Sequence, residues 1–204
     1  MLMTKLLLLL VCVLNFSAYG QVTGEVTQKV YRDDKYSFSL HYPSDWKPVE
    51  ASSANARFKI ASDNGIGVAD FSIIVLTPPE IKKMTPAEFA EGMAKNPELV
   101  KTIIQTGLPG SKLLASGKTY LSNREAFFIK YSGTLRSIDD ETDLTIYQII
   151  TVFEGKSITL TCRGLGDLFD TLYFDTCKEI ASCFVLLPTK IDLPPKKIVT
   201  IKRQ

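Results

Sequence analysis

The stretch YSFSLHYPSDW, residues 36–46, decides the fold because it joins a half-buried strand to a proline turn and the only tryptophan of the chain. Apolar and polar residues alternate along 36–42, the pattern of a strand with one face in the core. Pro43 lacks a backbone donor and fixes φ, so we expect pairing to end there before the chain returns to the core. The signature residues are Tyr36, Phe38, Pro43 and Trp46.

Strand patterns recur along the chain on both sides of a helical segment. Further strands are predicted at 57–60 and 69–76, where Pro78 and Pro79 close a first sheet section. Two hairpins follow, because short turns join 112–121 to 124–135 and 144–153 to 157–163. This succession predicts an antiparallel sheet.

Helix signals lie between the strands and after them. Thr85 is followed by Pro86 and, at the third helical position, by Glu88, which is the pattern of a capping box. Asn96 and Pro97 repeat the cap and proline signals, so we predict two helices, or one kinked at Pro97, ending at Gly107. A last helix is predicted over 168–184, with Asp167 as its cap and an apolar stripe that must cover a sheet face. The stripe consists of Phe169, Tyr173, Cys177, Ile180 and Phe184. Strands, a helical insertion, a meander and a covering helix indicate an α+β fold.

The quoted stretch resembles the opening hairpin of the PsbP-like superfamily, which includes an extrinsic photosystem II subunit, DcrB-type bacterial proteins and a nuclear Ran-binding factor. A second matching piece is the strand 158–162 followed by a helix that ends at 180–184. The resemblance implies an α/β/α sandwich. Some members assist a manganese-calcium cluster, but no metal-binding motif matches here residue by residue, so we predict no metal and no cofactor.

Residues 1–20 have the plan of a secretory signal peptide: Lys5, an apolar run, and small residues at Ala18 and Gly20. The apolar run is about half of what a bilayer-spanning helix needs, so an uncleaved anchor is the weaker alternative. We expect cleavage before Gln21 and a periplasmic or secreted protein.

The expected mature chain divides into an N-terminal extension, 21–29, a PsbP-like α+β domain, 30–187, and a Pro/Lys-rich tail, 188–204. Loss of Lys5 lowers the formal net charge from +2 to +1. A nearly neutral chain gives no reason to expect nucleic-acid binding, which depends on clustered cations. We expect a monomer, and the basic tail leaves open a peripheral contact with anionic lipid or an acidic partner.

Side chains that carry chemistry are sparse. His41 is the only histidine and lies on the polar face of its strand, so we predict no catalytic role for it. The acids at 139–143 offer hard oxygen ligands but lack the pattern of an EF-hand, which favours a solvated loop. They are Asp139, Asp140, Glu141 and Asp143.

Three cysteines remain after signal cleavage. Cys162 lies on an apolar strand face, and Cys177 lies on the helical stripe that should cover it. A Cys162–Cys177 disulfide and buried free thiols both stay open. Cys183 is about 240° round the helix from Cys177, so these two do not pair easily.

The sequence therefore predicts a non-catalytic, exported PsbP-like accessory protein that docks to a partner at a membrane or envelope assembly. A small-ligand or cation carrier, with a pocket between sheet and helices, is the alternative. A hydrolase with a carboxylate site assembled from distant residues is the weakest hypothesis, because no catalytic motif occurs.

Overall fold

Ten strands and three main helices make up the part of the chain that the structure, a computed structural model, describes: residues 27–187 without 52, 64–67 and 137–139. The strands are β1 (Gln28–Asp33), β2 (Phe38–Pro43), β3 (Lys47–Pro48), β4 (Ala56–Asp63), β5 (Val68–Leu76), β6 (Lys112–Leu121), β7 (Arg124–Arg136), β8 (Glu141–Phe153), β9 (Lys156–Leu165) and β10 (Val185–Leu186). The helices are α1 (Pro86–Lys95), α2 (Pro97–Gly107) and α3 (Phe174–Ser182). The expected signal peptide and the C-terminal tail lie outside the described residues.

The strands form two antiparallel sheets. The long sheet has seven strands in the order β3-β4-β5-β9-β8-β7-β6, and the small sheet has three in the order β1-β2-β10. The predicted hairpins are confirmed as β6-β7 and β8-β9. The small sheet and α3 cover one side of the long sheet, here called the first face, while α1 and α2 pack over β7 and β8 on the second face. This arrangement is an α+β sandwich, as predicted.

The signature strand differs from its prediction in two ways. Tyr36 lies in the turn before β2, where its N–H donates to Asp33 Oδ1 at 2.9 Å and Ser37 adopts a φ of 59°. β2 also belongs to the small sheet rather than to the section with β4 and β5, because it pairs with β1 on one side and β10 on the other. Pairing ends at Pro43, as predicted.

Both cap predictions for the first two helices are confirmed. Thr85 Oγ1 accepts from the Glu88 N–H at 3.2 Å, and the Glu88 carboxylate accepts from the Thr85 N–H at 2.8 Å, which completes a capping box. Asn96 Oδ1 accepts from the Leu99 N–H at 3.1 Å and starts a second helix, so the chain has two helices here. These bonds satisfy amide groups that have no partner within the helix.

The last helical region begins earlier than predicted. β9 continues to Leu165, which pairs with Leu144, so a short helical turn starts at Gly166 and places Asp167 inside it rather than at its cap. A π-helical segment, Phe169–Tyr173, then leads into α3. The predicted apolar stripe is confirmed, because all five of its residues are buried in the core of the first face.

Trp46 anchors that same core. Its side chain is only 3% exposed, and its ring meets the Tyr173 ring edge to face at a centroid distance of 6.5 Å. Burial of a large aromatic side chain is among the strongest contributions a single residue makes to a core. The turn after β2 therefore ties the small sheet to the last helical region.

Candidate functional site

The residues that the sequence singled out for chemistry do not come together. His41 is exposed on β2 in the small sheet. Asp139 lies outside the described residues, while Glu141 pairs with Arg136 at 2.9 Å and Asp143 accepts from Thr134 at 2.7 Å. These are contacts between neighbouring strands β7 and β8. Within 27–187, gaps excepted, no three His, Cys, Asp or Glu side chains form a group that could hold a metal ion.

The cysteines lie in the core. The structure joins Cys162 of β9 to Cys177 of α3 in a disulfide with Cα atoms 6.1 Å apart, and both residues are buried. This geometry corresponds to one of the two alternatives that the sequence left open, and the redox state of the exported protein stays a prediction. Cys183 follows α3 and is partly exposed.

The two edges of the long sheet differ greatly in length. β3 closes one edge with two residues, Lys47 and Pro48, whereas β6 forms the other edge with ten residues. No described strand pairs with the outer side of β6, so every second residue there presents an N–H and a C=O outward. We call this strand the open edge.

The open edge carries apolar side chains that solvent reaches. Leu113 is 42% exposed, Leu114 46% and Tyr120 70%. A cavity of about 450 Å³ lies beside the strand, between its end and α3, and Tyr120, Lys178 and Val185 are among its lining residues. Unpaired backbone and exposed apolar side chains together are the features of a surface that binds an extended segment.

A second feature lies on the second face, beyond the area that α1 and α2 cover. Under the helices the face is apolar, but on β4, β5 and β9 it is polar. The register places Asp70 opposite Arg163 and Ser72 opposite Thr161, with Lys59 beside Ser72. These side chains line a cleft of about 240 Å³, here called the polar cleft.

Among the described side chains, two cations and one carboxylate line the polar cleft. Arg163 Nε donates to Asp70 Oδ2 at 2.5 Å, and Lys59 Nζ lies 3.4 Å from the same oxygen. The side chains of Asp70 and Lys59 are 12% and 17% exposed, whereas that of Arg163 is 42% exposed. The cluster therefore has an excess positive charge, and its most accessible member is a guanidinium group.

Two further polar groups line the same cleft. Gln148 Nε2 donates to Thr161 Oγ1 at 3.2 Å, while Gln148 Oε1 is buried with no partner among the described residues. The Tyr131 hydroxyl lies against α2, because a Cβ added at Gly107 would stand 2.8 Å from it. Burial raises the pKa of Tyr131 to about 12, and the Arg163 charge opposes that rise.

Sequence reasoning missed the polar cleft because its residues come from separated strands. One signal was present: Asp70 is the only charged residue in VADFSIIVL, an otherwise largely apolar strand. A lone carboxylate inside such a strand needs a cationic partner, since a buried unpaired charge is costly. The sequence does not say which of its many Lys and Arg residues meets it.

Comparison with known proteins identifies the fold. The sequence matches no protein-family model and none of the curated proteins. The structure resembles the solution structure of cyanobacterial PsbP (CyanoP) from Synechocystis, with a TM-score of 0.52 and 18% identity over 81% of this chain and 95% of that one. The chain thus has the PsbP-like fold.

Two other solved structures share this architecture. LpqN, involved in cell envelope biogenesis of Mycobacterium tuberculosis, has a TM-score of 0.50 and 15% identity over 79% of this chain and 91% of LpqN. The Saccharomyces cerevisiae Ran-binding protein Mog1p has a TM-score of 0.51 and 7% identity over 79% of this chain and 96% of Mog1p. Such low identities show likeness of fold alone. No helix among the described residues is long and apolar enough to cross a membrane.

Proposed function

We propose that this protein is a non-catalytic, exported accessory protein that docks to a protein partner at a membrane or envelope assembly. The open edge carries this proposal. The outer side of β6, with which no described strand pairs, offers backbone hydrogen bonds for affinity, and the exposed side chains of Leu113, Leu114 and Tyr120 offer contacts for selectivity. The partner contributes an extended segment that pairs with β6.

The charges near the open edge support docking. Exposed edge strands commonly carry lysines that prevent strand pairing, and β6 has Lys112 and Lys118. The ammonium of Lys118, however, bonds the Glu91 carboxylate of α1 in a short contact. That pairing neutralises one of the two charges that would oppose an approaching strand. The β-bulge between Leu113 and Ala115 limits continuous pairing to the part of the strand that follows it.

Two of the structural neighbours support this class of function. LpqN is involved in cell envelope biogenesis, and Mog1p is a Ran-binding protein. The fold therefore accommodates proteins that act in assemblies or on partners. In this chain, the predicted signal peptide would direct the protein to the periplasm or to secretion, where it would act on its partner. The exported protein should begin at Gln21, and a mature form that keeps residues 1–20 would contradict export by cleavage.

Site-specific photocrosslinking tests the docking surface. A benzophenone side chain at position 120, in protein made by its native cell, should capture one defined envelope protein. The same probe at Glu50, an exposed residue that follows β3 at the other edge of the long sheet, serves as the matched control and should capture no protein. Leu114→Lys should abolish capture from position 120 without lowering the melting temperature. Equal capture from both positions, or capture that survives Leu114→Lys, would contradict docking at β6.

The non-catalytic part of the proposal has its own test. Purified residues 21–204 should turn over no common ester, phosphate, glycoside or peptide substrate. His41→Ala should leave the cellular phenotype intact, because His41 is exposed on the small sheet and the open edge belongs to the long one. Turnover that disappears in a folded His41→Ala variant would make the protein an enzyme.

A further inference from the structure

We propose that the polar cleft binds a small organic anion, whose carboxylate or phosphate group is held by Arg163 and Lys59. This site is distinct from the open edge and does not depend on the docking proposal. It lies on the second face, where its charged residues come from β4, β5 and β9, three or more strands away from β6 in the sheet order.

The guanidinium group is positioned for an oxyanion. Among the described residues Arg163 donates only through Nε, to Asp70, so its two terminal nitrogens remain for another acceptor. Those nitrogens form the planar fork that matches carboxylate and phosphate oxygens. The bond to Asp70 fixes the guanidinium plane, which lowers the entropy lost when a ligand binds.

The charge balance favours an anion over a cation. Among the side chains that the structure describes, Asp70 is the one carboxylate that faces both Lys59 and Arg163, through a single oxygen atom, Oδ2. One cation is enough to neutralise the Asp70 carboxylate in an ion pair. The second cation therefore leaves an uncompensated positive charge in the cleft. A bound anion would restore neutrality, whereas a bound cation would add to the imbalance. This argues against the cation-carrier alternative at this position.

The neutral groups indicate that the ligand carries polar atoms besides its anionic group. Exchanging the two ends of the Gln148 amide would let its oxygen accept from Thr161, but the buried nitrogen would then lack a partner. One end of the amide is unpaired in either orientation, and buried polar groups are nearly always bonded. A rotation of the Gln148 side chain toward the cleft would let a hydroxyl or amine on the ligand donate to this oxygen, which is otherwise buried. The cleft of about 240 Å³ suits a molecule of small metabolite size.

NMR titration of the arginine Nε–Hε signals tests the site directly. Inorganic phosphate and citrate are the two probes, and sodium chloride at equal ionic strength is the reference. The Arg163 signal should shift saturably with at least one probe and stay unchanged with chloride. Tighter phosphate binding assigns phosphate compounds, and tighter citrate binding assigns carboxylates. Failure of both probes to saturate would overturn the proposal.

Variants separate a built site from general surface charge. Arg163→Gln should weaken binding of the better probe at least about tenfold, the usual scale for a charged hydrogen bond. Arg136→Gln removes the same charge from the exposed Arg136–Glu141 pair, which joins β7 to β8, and should leave affinity unchanged. Arg163→Lys keeps the charge beside Asp70 but loses the fork, so it should also weaken binding while preserving the fold. Equal weakening by Arg136→Gln would refute the site.

Asp70→Asn should change the affinity for the anion in the opposite direction from the Arg163 variants. The asparagine oxygen can still accept from Arg163 Nε, but the competing negative charge is gone. Affinity for the anion should therefore rise, by about threefold or more. A fall in affinity, with the fold intact by circular dichroism, would mean that the cluster is structural only.

Discussion

The two faces of the long sheet are built from the same strands for different purposes. Along β9, Ile158, Leu160 and Cys162 enter the core of the first face, while Thr159 and Thr161 alternate with them on the second. The first face is mainly apolar on β4, β5 and β9, where the small sheet and α3 cover it, whereas the second is apolar chiefly under α1 and α2. The larger hydrophobic core therefore lies on the first face, and the second face keeps polar groups accessible.

The largest expected effect is on the first face. Trp46→Ala should lower the free energy of unfolding by about 3–5 kcal/mol, because truncation of a buried aromatic side chain leaves a cavity. Trp46 is 3% exposed and contacts the Tyr173 ring. Urea denaturation followed by circular dichroism measures the change. An unchanged midpoint would show that the first face does not depend on this anchor.

The disulfide comes next. Reduction should destabilise the protein by about 3 kcal/mol, since a crosslink that closes a loop of about 15 residues restricts the unfolded chain by that amount. Cys162 and Cys177 are separated by 15 residues. Cys183→Ala is the control and should change neither stability nor the response to reductant. Three free thiols by mass spectrometry of the native exported protein would establish the other alternative, buried thiols.

Tyr131 lies at the boundary between the covered and the polar parts of the second face. Burial raises its pKa from 10.0 to about 12, so folding favours the neutral phenol. Its contribution is fully present below pH 10 and should fall by about 2 kcal/mol as the pH rises from 10 to 12.

Comparing the wild type with Tyr131→Phe isolates this contribution, because the other tyrosines and the lysines titrate in both proteins. Urea unfolding at pH 9, 10, 11 and 12 measures it. Identical pH dependence in the two proteins would place Tyr131 in a solvated environment.

The smallest expected loss of stability comes from a substitution on the second face, and two adjacent residues of β9, Thr159 and Leu160, allow the two faces to be compared directly. Thr159→Val, on the second face, should change stability by less than about 0.5 kcal/mol, as substitutions outside the core usually do. Leu160→Ala, on the first face, should cost about 2–5 kcal/mol. A large loss for Thr159→Val would mean that the polar part of the second face is also a packed core.

Local signals predicted much of this fold. The Thr85 capping box, the Asn96 cap and the stripe from Phe169 to Phe184 are contained within single segments, and each is confirmed. Short turns similarly fixed the β6-β7 and β8-β9 hairpins.

Features that depend on distant pairing could not be predicted. Nothing near β2 indicates that β10, some 140 residues later, completes its sheet, and this pairing is what separates β2 from β4. The polar cleft depends likewise on the contact between Asp70 and Arg163, which are 93 residues apart in the sequence. The open edge follows from strand order, which alternation within a strand does not encode.

The small sheet makes the order of synthesis matter. Its central strand, β2, is made early, but one of its neighbours, β10, follows α3 at the end of the described chain. The Leu187 N–H then donates to the Ser37 carbonyl at 2.8 Å. A growing chain therefore cannot complete this layer until residues 185–187 have been added, and any chain that stops earlier leaves β2 with an exposed edge. Closure of the small sheet thus distinguishes a full-length domain from a truncated one.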